Sequence, residues 1–454
     1  MSGFVHHRTI GLFRAGYCAV LGSVMLFDLH DTVALYRNPF SVWFPTPLMD
    51  DLGIDRPPLW TVVVVALATA IAFWSAAVGW FTRTSLALAT VGFLAFHSVM
   101  RGFSKASPDT NWTEHQVGLV PLLLVTLLLI PSVDSWSIDR RGQQRSGDAV
   151  WISAWPVRLL RFVLGAAYLG SAVSKLREDL GWGDGETQRA QLLRASMRYD
   201  IDLSRMLAES ELVGTIAGAG TIVFEVGFVF AAVLIPIRSR WRVPLVVVGI
   251  GFHVATTVLM NIWHFLPYWA PAYLVFLTWE DVQAWRGRHL RTPRGGTTPL
   301  DTRARLAVVT MTALLLVPTA VAAEYWPISD FGAFSRRSAL EASGADRLVL
   351  VADDGSERFL VTGDLGEPFG RRASAANIRR WWLAETGTNR SLTHPDTDPE
   401  LLDELLGSYW RNLDEDLRAA YPTLEVVRLE VDADALPDEI VVVSRVAHTV
   451  TPEG

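Results

Sequence analysis

Residues 157–186, VRLLRFVLGAAYLGSAVSKLREDLGWGDGE, form an apolar stretch that ends in a polar, glycine-rich turn. About 20 apolar residues of helix are enough to cross the hydrocarbon core of a bilayer. Lys175 lies near the end of this stretch, and small residues beside it leave room for a ligand. Burial in an apolar site lowers the pKa of a lysine, and the neutral amine can then act as a general base. A lysine at the end of a span can also reach the membrane interface without having a function.

The composition is that of a polytopic membrane protein. Half of the 454 residues are hydrophobic and only 19% are charged, and the mean hydropathy is +0.26. Both values are too apolar for a soluble protein of this length. The net charge of −7 gives no indication of nucleic-acid binding, and the single cysteine, Cys18, excludes an intramolecular disulfide. Arg14 interrupts the first apolar stretch and no small-residue cleavage site ends it, so we expect a retained span.

The hydropathy pattern predicts an all-α membrane bundle of about nine transmembrane helices. The predicted spans lie near residues 9–29, 59–81, 84–101, 115–133, 157–176, 211–236, 242–262, 264–280 and 305–323. Arginine-rich loops follow the second, fourth, sixth and eighth spans, and loops of this kind stay in the cytoplasm. We therefore predict a multi-pass protein of the cell membrane with a cytoplasmic N-terminus and an extracytoplasmic C-terminus. Lys175 is then expected at the outer end of the fifth helix.

A basic linker divides the chain. Residues 286–304, RGRHLRTPRGGTTPLDTRA, are predicted to be cytoplasmic, with the transmembrane core before them over residues 8–285 and one additional span, 305–323, after them. Residues 340–454 have the composition of a soluble protein. LVLVADDGSERFLVT predicts a hairpin that turns at Asp354, and later segments predict amphipathic helices and closing strands. We expect a small extracytoplasmic α+β domain here.

The residues around Lys175 resemble those of a known family. Tyr168, a run of small residues, Lys175 followed by leucine, an acidic residue, Trp182 and glycine occur in this order. This order resembles the transmembrane core of vitamin K-dependent gamma-glutamyl carboxylase and its bacterial relatives, the HTTM domain. The resemblance covers roughly residues 8–285.

The resemblance implies a reaction as well as a fold. Lys175 would be the base that deprotonates a reduced quinone of the menaquinone or vitamin K type, and O2 and CO2 would be the further reactants. The implied function is a quinone-dependent carboxylase or epoxidase whose active site faces the extracytoplasmic side. Its second substrate would be an extracytoplasmic protein or peptide. Tyr168 and Trp182 are expected to line the cavity.

Two histidines join Lys175 as candidate catalytic residues. His115, in WTEHQVGL, resembles the Asn-His pair of the family, with Glu114 in place of the asparagine. It could equally be a polar residue at the start of a span. His253, in GFHVATTVLMNIWHFLPYWA, resembles the family's Phe-His segment before an apolar stretch and a Pro-Tyr pair.

Three further polar residues are candidates for the cavity. Glu225 lies midway along the sixth span, where a carboxyl group cannot easily reach water. It is either a structural carboxyl, protonated or paired with an arginine, or a hydrogen-bonding group in the cavity. Asn261 and His264 lie near an expected break at the outer interface. Two histidines and a carboxylate could bind a metal, but no HxxxH or HxxE spacing occurs, so we predict no metal site. His97 has no motif around it and is interpreted as a packing residue.

A function of another class fits the same sequence. The chain could be a non-catalytic membrane scaffold or a lipid-binding protein that displays its C-terminal domain outside the cell, with Lys175 as an interface anchor. A transporter is a weaker third option, because the chain lacks inverted repeats. Lys175→Arg discriminates the enzyme from the scaffold, since arginine stays protonated and cannot replace a neutral base, whereas an interface anchor tolerates the change.

Overall fold

The computed structural model describes most of the helical core and part of the C-terminal tail. The described residues are 3–37, 43–103, 117–130, 133, 135–140, 151–177, 181–199, 201–262, 265–288, 290, 302–321, 324–325, 328–329, 344–360, 399–411, 413, 415–432 and 440–450. Within them the helices are, in chain order, α1 (Arg8–Arg37), α2 (Pro47–Asp51), α3 (Leu59–Val78), α4 (Thr82–Gly102), α5 (Leu119–Leu129), α6 (Trp155–Arg177), α7 (Glu186–Tyr199), α8 (Asp202–Glu209), α9 (Glu211–Leu234), α10 (Arg242–Met260), α11 (Phe265–Trp269), α12 (Trp279–Trp285), α13 (Thr302–Val321), α14 (Pro399–Arg411) and α15 (Glu415–Ala420). Seven of them, α1, α3, α4, α6, α9, α10 and α13, are long and apolar enough to cross a membrane.

Seven of the nine predicted spans correspond to these seven helices. The fourth, 115–133, contains α5, which has 11 residues, and residues 104–116 before it lie outside the described part of the chain. The eighth, 264–280, is not one helix. It consists of α11, a 3-10 helix over Ala270–Phe276, and the start of α12. Pro267 and Pro271 lack the backbone N–H that a continuous helix needs, which explains why this apolar segment breaks.

Local signals fix the ends of the helices that frame the site. The Ser210 hydroxyl accepts a hydrogen bond from the backbone N–H of Val213 and so caps α9. Thr278 and Asp281 form a capping box at the start of α12. Asn261 ends α10 in the left-handed conformation, with φ of 53°. These caps set where α9 and α12 begin and where α10 ends.

The N-terminal strand and several turns lie together at one end of the bundle. The strand β1 (Phe4–His6) pairs antiparallel with β2 (Trp151–Ser153), just before α6. Arg238, in the turn between α9 and α10, donates a hydrogen bond to the β1 carbonyl of Phe4. Arg242 makes two hydrogen bonds to Asp281 of α12, at 2.8 and 2.9 Å. The strand β1, the start of α12 and the turn between α9 and α10 thus lie at one end, and Lys175, at the far end of α6, lies at the other.

The tail forms a small sheet that packs on the helices. After two short paired strands, β3 (Glu324–Tyr325) and β4 (Ile328–Ser329), the strands are β5 (Gly344–Val351), β6 (Glu357–Phe359), β7 (Thr423–Val431) and β8 (Val442–Val450). The last four make an antiparallel sheet in the order β6-β5-β7-β8, and the predicted hairpin between β5 and β6 is present. Val349 and Val427 share a buried cluster with Leu193 of α7 and Met260 of α10. The sheet therefore shares a hydrophobic core with the end of the bundle that carries Lys175.

Candidate active site

An apolar cavity of about 440 Å³ lies between α6, α9 and α10, with α7 and α11 closing it. Apolar side chains make most of its wall. The residues that line it are Ala167, Tyr168, Ser171, Lys175, Trp182, Gln188, Leu192, Ile216, Ala217, Gly220, Thr221, Phe224, Glu225, Val248, Gly251, Phe252, His253, Ala255, Thr256, Leu259, Met260, Phe265 and Trp269.

Lys175 and Glu225 form a buried ion pair in the wall of this cavity. The Lys175 Nζ lies 2.8 Å from Oε1 and 2.9 Å from Oε2 of Glu225, and each residue is only 3% exposed. The Lys175 ammonium also donates to the Ser171 hydroxyl at 2.6 Å, and that hydroxyl donates to Glu225 Oε1 at 3.0 Å. Ser171 and Lys175 are four residues apart and so lie on one face of α6.

This pairing decides between the alternatives for both residues. A side chain that anchors the protein at the interface keeps its amine in water, whereas Lys175 points into the bundle. Glu225 is paired, but with Lys175 rather than with an arginine. Two buried opposite charges attract each other, and removing either partner leaves an uncompensated charge in an apolar site. The geometry therefore disfavours an interface anchor.

Trp182 covers the ammonium, and a close backbone contact puts it there. The Lys175 Nζ lies 5.1 Å from the centroid of the Trp182 ring, within range of a cation–π interaction. Trp182 belongs to the glycine-rich turn after α6, which rests on α9 at Gly218. A Cβ atom at Gly218 would lie 2.3 Å from the Trp182 carbonyl oxygen, so only glycine allows this approach.

A second polar group lies further along the same cavity. The Tyr168 hydroxyl lies 2.6 Å from Nε2 of His253 and 2.5 Å from the hydroxyl of Tyr273, and all three residues are buried. The Nδ1 atom of His253 is buried and has no hydrogen-bond partner in the described part of the chain. Tyr273 was missed by the sequence analysis, because the segment around it was interpreted as a continuous apolar span.

The cavity opens sideways between α9 and α10. Ile216 of α9 and Val248 of α10 both line it, yet they are 63% and 55% exposed. Gly220 and Gly251 also line it, and a Cβ atom at either position would meet no atom within 4 Å. Both helices are candidate membrane spans, so this opening faces the region that acyl chains would occupy.

The structure brings together five of the eight predicted site residues: Lys175, Glu225, Tyr168, Trp182 and His253. Asn261 is exposed at the end of α10 and does not line the cavity. His115 and His264 lie outside the described residues. Among the described residues there is no group of three or more histidine, cysteine, aspartate or glutamate side chains that could hold a metal ion.

Comparison with protein families agrees with this geometry. The model of the HTTM domain matches residues 5–281, which is more than half of the chain. The chain belongs to the HTTM family. HTTM is the domain of vitamin K-dependent gamma-carboxylase-like proteins. The whole cavity lies inside the matched HTTM region, whereas the C-terminal sheet lies beyond it. Comparison with curated proteins and with solved structures gave no match.

Proposed function

We propose that this HTTM protein binds a reduced quinone from the bilayer in the cavity and that the Lys175–Glu225 pair accepts a proton there. When bound, the reduced quinone would supply, together with O2 and CO2, the carboxylase or epoxidase chemistry associated with the family. The observation that carries the proposal is a buried, hydrogen-bonded Lys175–Glu225 pair in the wall of an otherwise apolar cavity.

The residues of the cavity fit such a molecule. Phe224, Phe252 and Trp269 provide aromatic surface for a flat ring. The opening between α9 and α10 would admit a molecule with an isoprenoid tail directly from the lipid. His253 is a further polar residue in the lining, in addition to the ion pair. A cavity with apolar walls and a few converging polar groups is typical of a small-molecule site.

The ion pair can hold a proton in more than one place. Because the pair is neutral as a whole, it can take up one proton and then carry a single positive charge. Ser171 connects the two partners, since it accepts from Lys175 and donates to Glu225. A positive charge on Lys175 would stabilise a negative oxygen beside it, and this effect is strong where water is excluded. In the neutral form of the pair in which Glu225 holds the proton, Lys175 is a free amine; it would then act as the proton-accepting group, and Glu225 and Ser171 would hold it in position.

The surrounding architecture suggests where a second substrate would approach. We propose that the end of the bundle with Lys175 faces the extracytoplasmic side and that the sheet packed on α7 lies there too. An extracytoplasmic protein or peptide would reach the cavity from that end. The alternative is a lipid-binding scaffold without catalysis, because an apolar cavity that is open to the bilayer would also accept an acyl chain.

Oxygen consumption separates these two functions. The purified protein is reconstituted in vesicles with reduced menaquinone, and O2 uptake is compared for wild type, Lys175→Arg and, as a control on an exposed carboxylate, Glu209→Gln. We expect O2 uptake in wild type and in Glu209→Gln, and at least a 100-fold slower rate in Lys175→Arg, in line with the loss of a positioned base. Equal rates in all three proteins would refute the role of Lys175. No uptake in wild type would favour the scaffold.

A further inference from the structure

Gln188 of α7 is a polar residue of the cavity wall to which no role has been given. It lines the cavity and is partly exposed, and its side-chain amide makes no hydrogen bond to any other residue that the structure describes. The hydroxyls of Thr221 and Thr256, which line the same cavity, instead donate to carbonyl oxygens of their own helices. A primary amide offers two donor hydrogens and an acceptor oxygen. The Gln188 amide is therefore available to a ligand.

The packing of α7 directs Gln188 towards the cavity. Gln188 and Leu192 are four residues apart, so they lie on one face of the helix, and both line the cavity. The buried cluster that α7 shares with strands β5 and β7 contains Ala190, Leu193 and Met197. The sheet thus supports α7 from behind, and the face with Gln188 forms part of the cavity wall.

Gln188 and the ion pair lie at different depths of the cavity. Arg189, next to Gln188, packs on α9 at Gly214, where a Cβ atom would lie 2.4 Å from the Arg189 Cγ atom. Glu225 lies 11 residues further along α9, which at 1.5 Å per residue is about 16 Å along the helix axis. The side chains of Gln188 and Lys175 take up part of this length, and two hydrogen bonds of about 2.8 Å each take up more. The length that remains suits a ring with an oxygen at each end.

We infer that Gln188 binds a second oxygen of the ring ligand, at the end of the cavity away from the oxygen next to Lys175. The inference rests on the proposed binding of a reduced quinone. It means that the site selects rings with two oxygens on opposite carbons over rings with a single oxygen.

An amide is suited to both redox states of such a ring. The Gln188 carbonyl oxygen can accept a hydrogen bond from the second hydroxyl of the reduced ring. After rotation of the amide by half a turn, its N–H group can donate to the carbonyl oxygen of the oxidised ring. Gln188 would therefore keep its contact when the ring is oxidised, which a side chain that only donates or only accepts cannot do.

The test compares two flat ligands that differ in one hydroxyl. Menadiol has two hydroxyls on opposite carbons of one ring, and 2-methyl-1-naphthol has one. Their affinities are measured without oxygen by isothermal titration calorimetry on the full-length protein in detergent, for wild type, Gln188→Met, Gln188→Glu and the control Gln191→Met. Methionine keeps the length of the side chain without the amide, and glutamate keeps an acceptor oxygen. Gln191 lies on the same helix but is not among the residues that line the cavity.

We expect the preference for menadiol over the naphthol to be about 5-fold larger in wild type than in Gln188→Met, as one hydrogen bond predicts. Partitioning of the ligands into detergent cancels when this preference is compared between proteins. Gln188→Glu and Gln191→Met should keep the preference of wild type.

Three results would refute the role of Gln188 while quinone binding stands. They are an unchanged preference in Gln188→Met, a loss in Gln188→Glu as large as that in Gln188→Met, and an equal loss in Gln191→Met. The second would mean that packing sets the preference, and the third that the position of α7 does. If wild type binds neither ligand, the proposed function fails and the inference fails with it.

Discussion

Lys175→Met should destabilise the protein strongly, and a second substitution should restore most of the loss. The substitution removes the ammonium but leaves the Glu225 carboxylate in the bundle, where, among the described residues, only the Ser171 hydroxyl still donates to it. Breaking a buried ion pair by removing one partner costs about 3–5 kcal/mol, whereas replacing both partners by apolar residues is often close to neutral. The double variant Lys175→Met with Glu225→Leu should therefore be more stable than Lys175→Met alone.

The effect can be measured as a shift in the apparent Tm in detergent. At about 2 °C per kcal/mol, the value for larger chains, Lys175→Met should lower the Tm by roughly 6–10 °C. The chain offers a matched control in Arg205 and Glu209, a pair four residues apart whose side chains are about half exposed. Arg205→Met should cost at most about 1 kcal/mol, because exposed ion pairs contribute little. If Lys175→Met shifted the Tm no more than Arg205→Met, or if the double variant were the least stable, Lys175 and Glu225 would not be a buried charged pair.

Three further predictions concern other parts of the molecule. Burial, with the neighbouring positive charges, lowers the pKa of His6 to about 4. Neutral His6 therefore stabilises β1 at pH values above about 6.5, its usual pKa, and this stability is lost as the pH falls towards 4. The Tm of wild type should fall more between pH 7 and 5 than that of His6→Gln, and parallel Tm profiles would contradict this. Gly218→Val should push the turn that carries Trp182 away from α9, because a Cβ atom there would lie 2.3 Å from the Trp182 carbonyl oxygen. The rate at which acrylamide quenches tryptophan fluorescence should then increase, whereas an unchanged rate would mean that the close packing at Gly218 does not position this turn. A reporter active only outside the cytoplasm should work when fused after residue 340 and be silent near residue 143, and the reverse pattern would refute the orientation.

The sequence predicted the polar residues of the site better than it predicted their partners. Glu225 was selected because ionisable groups inside spans are costly and usually functional. Lys175 was selected for the small residues beside it and for the family resemblance, and His253 for its resemblance to the family's Phe-His segment. Which of them would meet depends on how α6, α9 and α10 pack, and no spacing along the chain contains that information. An arginine was one of the partners considered for Glu225, whereas its neighbour in space is Lys175, 50 residues away along the chain.

The backbone breaks were the least predictable part of the fold. Residues 264–280 are apolar enough to be interpreted as a span. Two prolines divide the segment, but prolines are also found in kinked membrane helices, so they did not rule out a span. Because of that interpretation Tyr273 was not identified as a site residue, since nothing in the sequence of a continuous span indicates that its tyrosine contacts Tyr168. Residues 177–210 lie between two predicted spans, yet α7 within them lines the cavity with Gln188 and Leu192. In both segments a short helix is stabilised by its neighbours, which a local pattern does not reveal.

The central claim, that the cavity holds a quinone, is tested most directly by the lipid that copurifies with the protein. Gly251→Phe places a large ring in open space on the cavity wall and should fill the cavity without disturbing the backbone. Lipids are extracted from purified wild type and from Gly251→Phe, and quinones are identified and quantified by mass spectrometry. The account predicts a stoichiometric quinone in wild type and its loss in Gly251→Phe. Equal quinone in both proteins, or a different lipid in wild type that Gly251→Phe excludes, would contradict it.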